Sequence, residues 1–295
     1  MKIILVATDN RGKNLVFVSD TLRAYSLSEA VNLAREGKIE NVYPVKKKTG
    51  VYLRSSQATP AKEQLDRLSI SSHRLFSLAD SVNYAGTTPA VGDYLRLYAG
   101  VLVRHEPYIR MKGRPDVAKK VVKTKLQPHR ELIFAAAKKF DVDPHLLGAI
   151  IIDEIVRMNP FENTANKLAT FFVGKNTSAG VAQVKMETAR GLIMAGYYNP
   201  DPKDNKLSPE NIQKTSRAYL YAYVQEPKHS ILFATARMRA LTDEWKRFVD
   251  LRKRPEIIAT LYHLERKDPR MHPEPNDRGL QIVNEFSLLA KEWLH

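Results

Sequence analysis

An almost uninterrupted apolar segment at residues 146–152 constrains the fold more than any other feature of this sequence. Asp143 can serve as a helix N-cap, and Pro144 suits the first helical position after it. The segment that follows reads LLGAIII and predicts a helix from His145 to about Met158. A helix that is apolar on every face must be buried in a core. The sequence therefore predicts a helical domain built around this segment.

The surrounding sequence supports a mainly helical domain over residues 126–295. Apolar residues recur at the spacing of one helix face at positions 132, 133, 136, 137 and 140. Similar patterns predict later helices at residues 187–195, 209–225, 229–247, 255–264 and 277–293.

The first 57 residues have a different pattern, which predicts a small β-β-α-β-β accessory domain. Two β-type runs flank the turn signal DNRG at residues 9–12 and predict a hairpin. Ser26 and Glu29 have the spacing of a capping box, so a short helix is expected from Leu27 to Glu36. Together with the later helices, this predicts the α+β class, with a small β-rich N-terminal domain preceding a helical one.

Residues 58–125 are expected to form a partly helical, basic linker, with helices at 62–68 and 74–82. The stretch 101–125 holds eight Lys or Arg residues and only two acidic ones. It contributes much of the chain's net charge of +15, and that charge indicates an anionic partner. Nucleic acid, a membrane surface and an anionic cell-wall polymer all fit this requirement.

The composition also excludes several kinds of site. The chain has no cysteine, which excludes disulfides, thiolate zinc sites and a cysteine nucleophile. The eight histidines are scattered, so no metal site is predicted, and no motif for a nucleotide or other cofactor is present. No apolar run approaches the ~20 residues of a membrane span, and the N-terminus lacks the pattern of a secretory signal peptide.

Glu154 is the first candidate for catalysis, because it lies near the end of the predicted buried helix. Desolvation raises the pKa of a partly buried glutamate, and a raised pKa suits a general acid. Cleavage of a glycosidic bond needs such an acid to protonate the leaving oxygen. A glutamate at a helix end is, however, more often exposed or paired with a cation, so this residue alone decides little.

A second segment gives the candidate a context. The sequence SAGVAQVKMETA at residues 178–189 follows the glutamate, and ATLYH lies at residues 259–263. With AAKKFDVDPHLLGAIIIDE at residues 136–154 and PNDRGLQIV at residues 275–283, the order resembles that of lytic transglycosylases and goose-type lysozymes. The resemblance covers residues 126–290 and implies a lysozyme-like fold. The N-terminal part resembles a small uncharacterised bacterial domain family, which implies no activity.

The resemblance implies a function and a set of site residues. Peptidoglycan would be cleaved at the β-1,4 bond between N-acetylmuramic acid and N-acetylglucosamine, with Glu154 as general acid and base. Substrate would be bound by Ser178, Gly180, Gln183 and Tyr262, and the Tyr262 hydroxyl would orient Glu154 through a hydrogen bond. Without a predicted signal peptide, the protein would reach the wall through a phage, an injection machine or non-classical release.

The sequence departs from the family pattern at three places. Ile155 stands where a serine is usual, the loop reads GVAQ at residues 180–183, and His263 replaces the asparagine that follows the third-motif tyrosine. A lytic transglycosylase needs one carboxylate, whereas an inverting hydrolase needs a second one about 6.5–9.5 Å away. Glu162 is the possible second carboxylate, since Asp153 is expected to point about 100° around the helix. The sequence therefore favours the transglycosylase route.

Two other functions remain open from the sequence. The domain could be a catalytically degenerate, structural or targeting component of a phage particle or injection apparatus. Alternatively, the basic stretch around Tyr108 could bind nucleic acid through its phosphates. If the protein is instead a peptidoglycan-cleaving enzyme, its expected partner is peptidoglycan or another anionic wall polymer.

Overall fold

The computed structural model describes residues 1–8, 13–21, 23–47, 50–71, 108–111, 114–158, 175–264 and 268–295. The chain divides into two compact units, Met1–Tyr108 and Ile109–His295. The first is rich in strands and the second is mainly helical, so the predicted α+β class is confirmed.

The described part of the first unit contains six short strands and one helix. They are β1 (Ile3–Thr8), β2 (Asn14–Ser19), β3 (Ala24–Ser26), α1 (Leu27–Arg35), β4 (Val42–Lys47), β5 (Gly50–Ser55) and β6 (Ser69–Ser71). Strands β3, β2, β1 and β6 form one sheet in that order, and β4 pairs with β5 in a second sheet. The predicted hairpin is present, because β1 and β2 are antiparallel neighbours.

Local signals in the sequence account for the helix of this unit. The Ser26 hydroxyl accepts a hydrogen bond from the backbone N–H of Glu29, and the Glu29 carboxylate accepts one from the backbone N–H of Ser26. The predicted capping box is therefore confirmed. The helix buries Ala30 and Val31 in a core that includes Phe17.

The strand-rich unit continues beyond residue 57. Strand β6 pairs in parallel with β1, and Leu65 is part of the buried core. The helix predicted over residues 62–68 is wrong, since only Ala61–Glu63 form a single 3-10 turn. The helix predicted over residues 74–82 lies outside the described residues.

The second unit begins with a hairpin of β7 (Tyr108–Met111) and β8 (Arg114–Ala118), in a stretch predicted to be a linker. Its helices follow from Lys119, earlier than residue 126. They are α2 (Lys119–Leu126), α3 (Arg130–Phe140), α4 (Pro144–Arg157), α5 (Met186–Met194), α6 (Arg217–Val224), α7 (Pro227–Trp245), α8 (Pro255–Tyr262), α9 (Asp277–Gln281) and α10 (Ser287–Trp293).

Shorter elements connect these helices. A hairpin of two short strands, β9 (Ser178–Ala179) and β10 (Val184–Lys185), precedes α5. A π-helical turn, Ile282–Phe286, joins α9 to α10. The helix predicted over residues 209–225 is shorter than expected, because the stretch before α6 contains only the 3-10 turn Ile212–Lys214.

Helix α4 is the centre of the helical unit, as its apolar sequence predicts. The Asp143 carboxylate caps it by accepting hydrogen bonds from the backbone N–H groups of His145 and Leu146. Ten of its fourteen residues are buried, and it packs against α2, α3, α10 and the π-helical turn. Burial on all sides fixes the position of Glu154, one turn before the helix ends. Among the described residues, no helix is both long and apolar enough to cross a membrane.

Candidate active site

Glu154 opens onto a cavity of about 190 Å³ in the helical unit. Several separated segments contribute to the wall of this cavity: the ends of α4 and α8, the β9–β10 hairpin, and side chains from α5, α7 and α9. The described lining residues are Glu154, Ser178, Gln183, Val184, Lys185, Thr188, Arg237, Tyr262, His263, Leu264 and Arg278. Within that set, Glu154 is the single carboxylate.

The hairpin loop before α5 is held by its own side chains. The Gln183 side-chain carbonyl accepts a hydrogen bond from the Ser178 hydroxyl at 2.7 Å, and its amide donates to the Gly180 carbonyl at 3.0 Å. Gln183 itself has a φ of 45°, a left-handed conformation uncommon for a residue with a side chain. Ser178 and Gln183 line the cavity as predicted, but their mutual hydrogen bond also shapes the loop.

Gly180 has a structural role in this loop. Its φ is +72°, and a Cβ there would lie 2.3 Å from the Ser230 hydroxyl and 2.4 Å from the Val224 carbonyl. Only glycine allows this conformation and this approach to α6 and α7. Gly180 is not among the described residues that line the cavity, and the structure supports its role in shaping the loop.

Tyr262 lines the cavity, but its predicted hydrogen bond to Glu154 is wrong. The Tyr262 hydroxyl instead donates to the Ala182 carbonyl at 3.0 Å, which fastens the hairpin loop to α8. Burial raises the pKa of Tyr262, and the nearby charge of Glu154 raises it further. The tyrosine is therefore uncharged and stabilises the loop through this hydrogen bond, and other residues orient the glutamate.

Among the described residues, Arg278 and His263 contact the Glu154 carboxyl group. The Arg278 Nη2 lies 2.9 Å from Glu154 Oε1, and His263 Nδ1 lies 3.1 Å from the same oxygen. Burial lowers the pKa of His263 to about 3, with the Arg278 charge as the next cause. The imidazole is therefore neutral near pH 7, and Arg278 supplies the positive charge beside the glutamate. A guanidinium in contact with a carboxyl group favours its ionised form.

Asp153 belongs to the same ion-pair network as Arg278 but does not line the cavity. Its side chain is fully buried, and Arg278 Nε donates to its Oδ2 at 2.8 Å. Its other oxygen accepts from Arg157 Nε at 2.6 Å. It does not line the cavity, in agreement with the prediction from helix geometry. Glu162, the predicted second carboxylate, lies outside the described residues.

The close packing of α9 on α8 brings Arg278 to this position. A Cβ at Gly279 would lie 2.1 Å from the Thr260 hydroxyl and 2.6 Å from the Glu256 carbonyl, so the two helices approach at a glycine. The Asn276 side chain caps α9 by accepting from the backbone N–H of Gly279. Arg278, the neighbour of this glycine, thereby reaches the end of α4. The sequence pattern around residue 275 had included Arg278, but its role was not predicted.

The site also contains three potential metal ligands whose ligand atoms lie within 4.8 Å of one another: Asp153, Glu154 and His263. The His263 Nε2 is buried without a hydrogen-bond partner, 3.6 Å from Asp153 Oδ2. Arg278, however, lies against both carboxylates and already supplies the positive charge that a metal would bring. A metal would have to displace this guanidinium, so the residues fit an ion-pair network better than a metal centre.

Comparison with known proteins gives the site no family name. No protein-family model matches this chain, and a search of curated proteins finds no significant match. Any functional proposal therefore depends on the geometry and chemistry of the cavity and on the sequence motifs that line it.

Proposed function

We propose that the helical unit cleaves the β-1,4 bond between N-acetylmuramic acid and N-acetylglucosamine in peptidoglycan, with Glu154 as general acid and base. One observation carries this proposal. The four segments that resemble lytic transglycosylases and goose-type lysozymes contribute to one cavity, and Glu154 is the one carboxylate among its described lining residues. The transglycosylase reaction requires at least one general acid in the cavity.

The transglycosylase route uses one carboxyl group for both proton transfers. Glu154 donates its proton to the glycosidic oxygen as the bond from that oxygen to the muramic C1 breaks. The 6-hydroxyl of the same muramic residue then attacks C1 and gives its proton to Glu154. The product carries a 1,6-anhydro ring, no water is consumed, and the carboxyl group is again protonated. Asp153 cannot supply a water-activating base, because it is buried and both its oxygens are bound to arginines.

The other residues of the cavity would position the reacting groups. Arg278 and His263 hold Glu154 Oε1, and the contact with Arg278 stabilises the carboxylate that exists between the two proton transfers. The hydrogen bonds of Ser178, Gln183 and Tyr262 fix the loop that forms part of the cavity wall. This arrangement limits the reorganisation needed when the glycan binds.

The test is product analysis with purified protein and peptidoglycan. We expect the wild-type protein to release muropeptides with 1,6-anhydro ends, identified by mass spectrometry. Glu154→Gln should lower the rate by at least ~100-fold, because general acid–base catalysis contributes about 10²–10⁴. The matched control is Glu187→Gln, which removes a glutamate bound to Arg190 and Arg217 outside the cavity. Equal rates for wild type and Glu154→Gln would reject the proposal.

A second candidate is a catalytically inactive, glycan-binding or structural component of a phage particle or injection apparatus. It is favoured by the contact of Arg278 with Glu154, because a neighbouring guanidinium opposes the protonated carboxyl group that a general acid needs. The internal hydrogen bonds of the Gln183 amide favour it too, because they engage groups that could bind a sugar. Under this hypothesis the protein binds peptidoglycan, yields no products, and binds equally well after Glu154→Gln.

A further inference from the structure

Among its described lining residues, the candidate cavity has three cationic side chains and one carboxylate. Lys185, Arg237 and Arg278 are among its described lining residues, and Glu154 is the single carboxylate in that set. His263 does not alter this balance, because burial lowers its pKa to about 3 and leaves it neutral near pH 7. Arg278 is bound to Glu154 and Asp153, and Lys185 also has an interaction partner, so neither of these two cations is free for a ligand.

Arg237 differs from the other arginines around it. It projects from α7 and is half-buried, and within the described part of the chain it forms no hydrogen bond or ion pair. Arg239, two residues further along α7, is bound to Asp243 and Asp141. The buried Arg190 donates to two backbone carbonyls and to Glu187. A guanidinium that lines a cavity and has no partner among the described residues is suited to bind an anionic ligand.

We infer that Arg237 binds a carboxylate of the glycan and makes the site specific for acidic amino-sugar polymers, an inference that rests on the proposed peptidoglycan substrate. A guanidinium binds a carboxylate through two parallel hydrogen bonds, which gives direction as well as charge. Peptidoglycan offers carboxylates from two sources: the lactyl group of muramic acid, exposed where the stem peptide has been removed, and the stem peptide itself. Chitin offers none, although its glycosidic bond is of the same type.

The test measures binding separately from cleavage. Binding is followed by equilibrium dialysis in the Glu154→Gln background, which leaves the strands intact, with end-labelled strands of four kinds. These are peptide-free glycan, the same glycan with its carboxylates converted to methylamides, peptide-bearing glycan, and chitin oligosaccharides. Adding Arg237→Gln should weaken binding of the carboxylate-bearing strands by about 10-fold or more, and leave the neutral strands unchanged. Arg237→Lys should fall between, because it keeps the charge and loses the paired hydrogen bonds.

Lys228→Gln is the matched control, since it removes a positive charge from the exposed N-terminal end of the same helix. It should bind all four strands as the parent does. An equal effect of Lys228→Gln and Arg237→Gln, or an equal effect of Arg237→Gln on charged and neutral strands, overturns the inference. Absence of binding to every strand overturns it as well. Intact tryptophan fluorescence in each variant excludes unfolding as the cause.

The outcomes also identify the carboxylate and separate the two proposals. Arg237-dependent binding that is strongest for peptide-free strands assigns the lactyl carboxylate, whereas a preference for peptide-bearing strands assigns the stem peptide. Arg237-dependent binding without cleavage by the wild-type protein keeps the carboxylate site and rejects the glycosidase. Cleavage together with Arg237-independent binding keeps the glycosidase and rejects the carboxylate site.

Discussion

Replacing Arg278 with glutamine removes the cation that joins the two acidic residues at the end of α4. The side chain of Asp153 is fully buried and would lose both contacts on its Oδ2, at 2.6 and 2.8 Å. It would keep the 2.6 Å contact between its Oδ1 and Arg157. Breaking a buried ion pair on one side costs about 3–5 kcal/mol, and a single charge-assisted hydrogen bond contributes about 1.5–3 kcal/mol. Because Arg157 remains and Arg278 is 29% exposed, we expect a loss of about 2–3 kcal/mol.

The assay is urea unfolding followed by tryptophan fluorescence. The two tryptophans, Trp245 and Trp293, are both buried in the helical unit, so the signal reports on that unit alone. The control is Arg252→Gln, whose partner Asp250 is two residues away on the surface, and we expect no measurable change there. A loss below about 1 kcal/mol for Arg278→Gln would refute the reasoning, since it would mean that Asp153 is satisfied without this cation.

Three further predictions concern the loop and the histidine. Gly180→Ala should destabilise the helical unit by about 2–4 kcal/mol, because the new methyl group is strained and overpacked. The control is Gly191→Ala, whose methyl group would meet no atom within 4 Å, so it should be neutral or stabilising. The midpoints of urea unfolding compare the two variants. Tyr262→Phe should lower the free energy of unfolding by about 1–3 kcal/mol, because it leaves the buried Ala182 carbonyl unpaired. It should lower the rate of any glycan cleavage less than 10-fold, which kinetics on peptidoglycan can check. The lowered pKa of His263 means that the unfolded chain binds a proton between pH 6.5 and about 3 that the folded chain does not. Stability should therefore fall as pH drops through this window, by up to about 1.4 kcal/mol per unit, and His263→Gln should flatten the slope in unfolding measured against pH.

The elements that the sequence predicted well are those determined by short-range signals. The capping box at Ser26 and the cap at Asp143 each lie within four residues of the groups they bind. The continuous apolar character of residues 146–152 was enough to place α4 in a core. In contrast, β6 has three residues and pairs with β1 more than 60 residues earlier, so no local pattern could reveal it.

The site was predictable in part for the same reason. Glu154, Ser178 and Gln183 follow from ordered motifs and do line one cavity. The partner of the Tyr262 hydroxyl could not be read from the sequence, because it depends on how α8 meets the hairpin loop. The role of Arg278 depends on a contact between residues 124 positions apart, made possible by the close approach of Gly279 to α8.

The most direct test of a Glu154-dependent transglycosylase is peptidoglycan digestion in water enriched in ¹⁸O, with mass spectrometry of the new chain ends. We expect the wild-type protein to form 1,6-anhydro ends without ¹⁸O, because the muramic 6-hydroxyl attacks instead of water. Glu154→Gln should form none above background. Reducing ends that carry ¹⁸O would contradict the transglycosylase route, and the absence of any new ends from the wild-type protein would contradict the enzyme assignment itself.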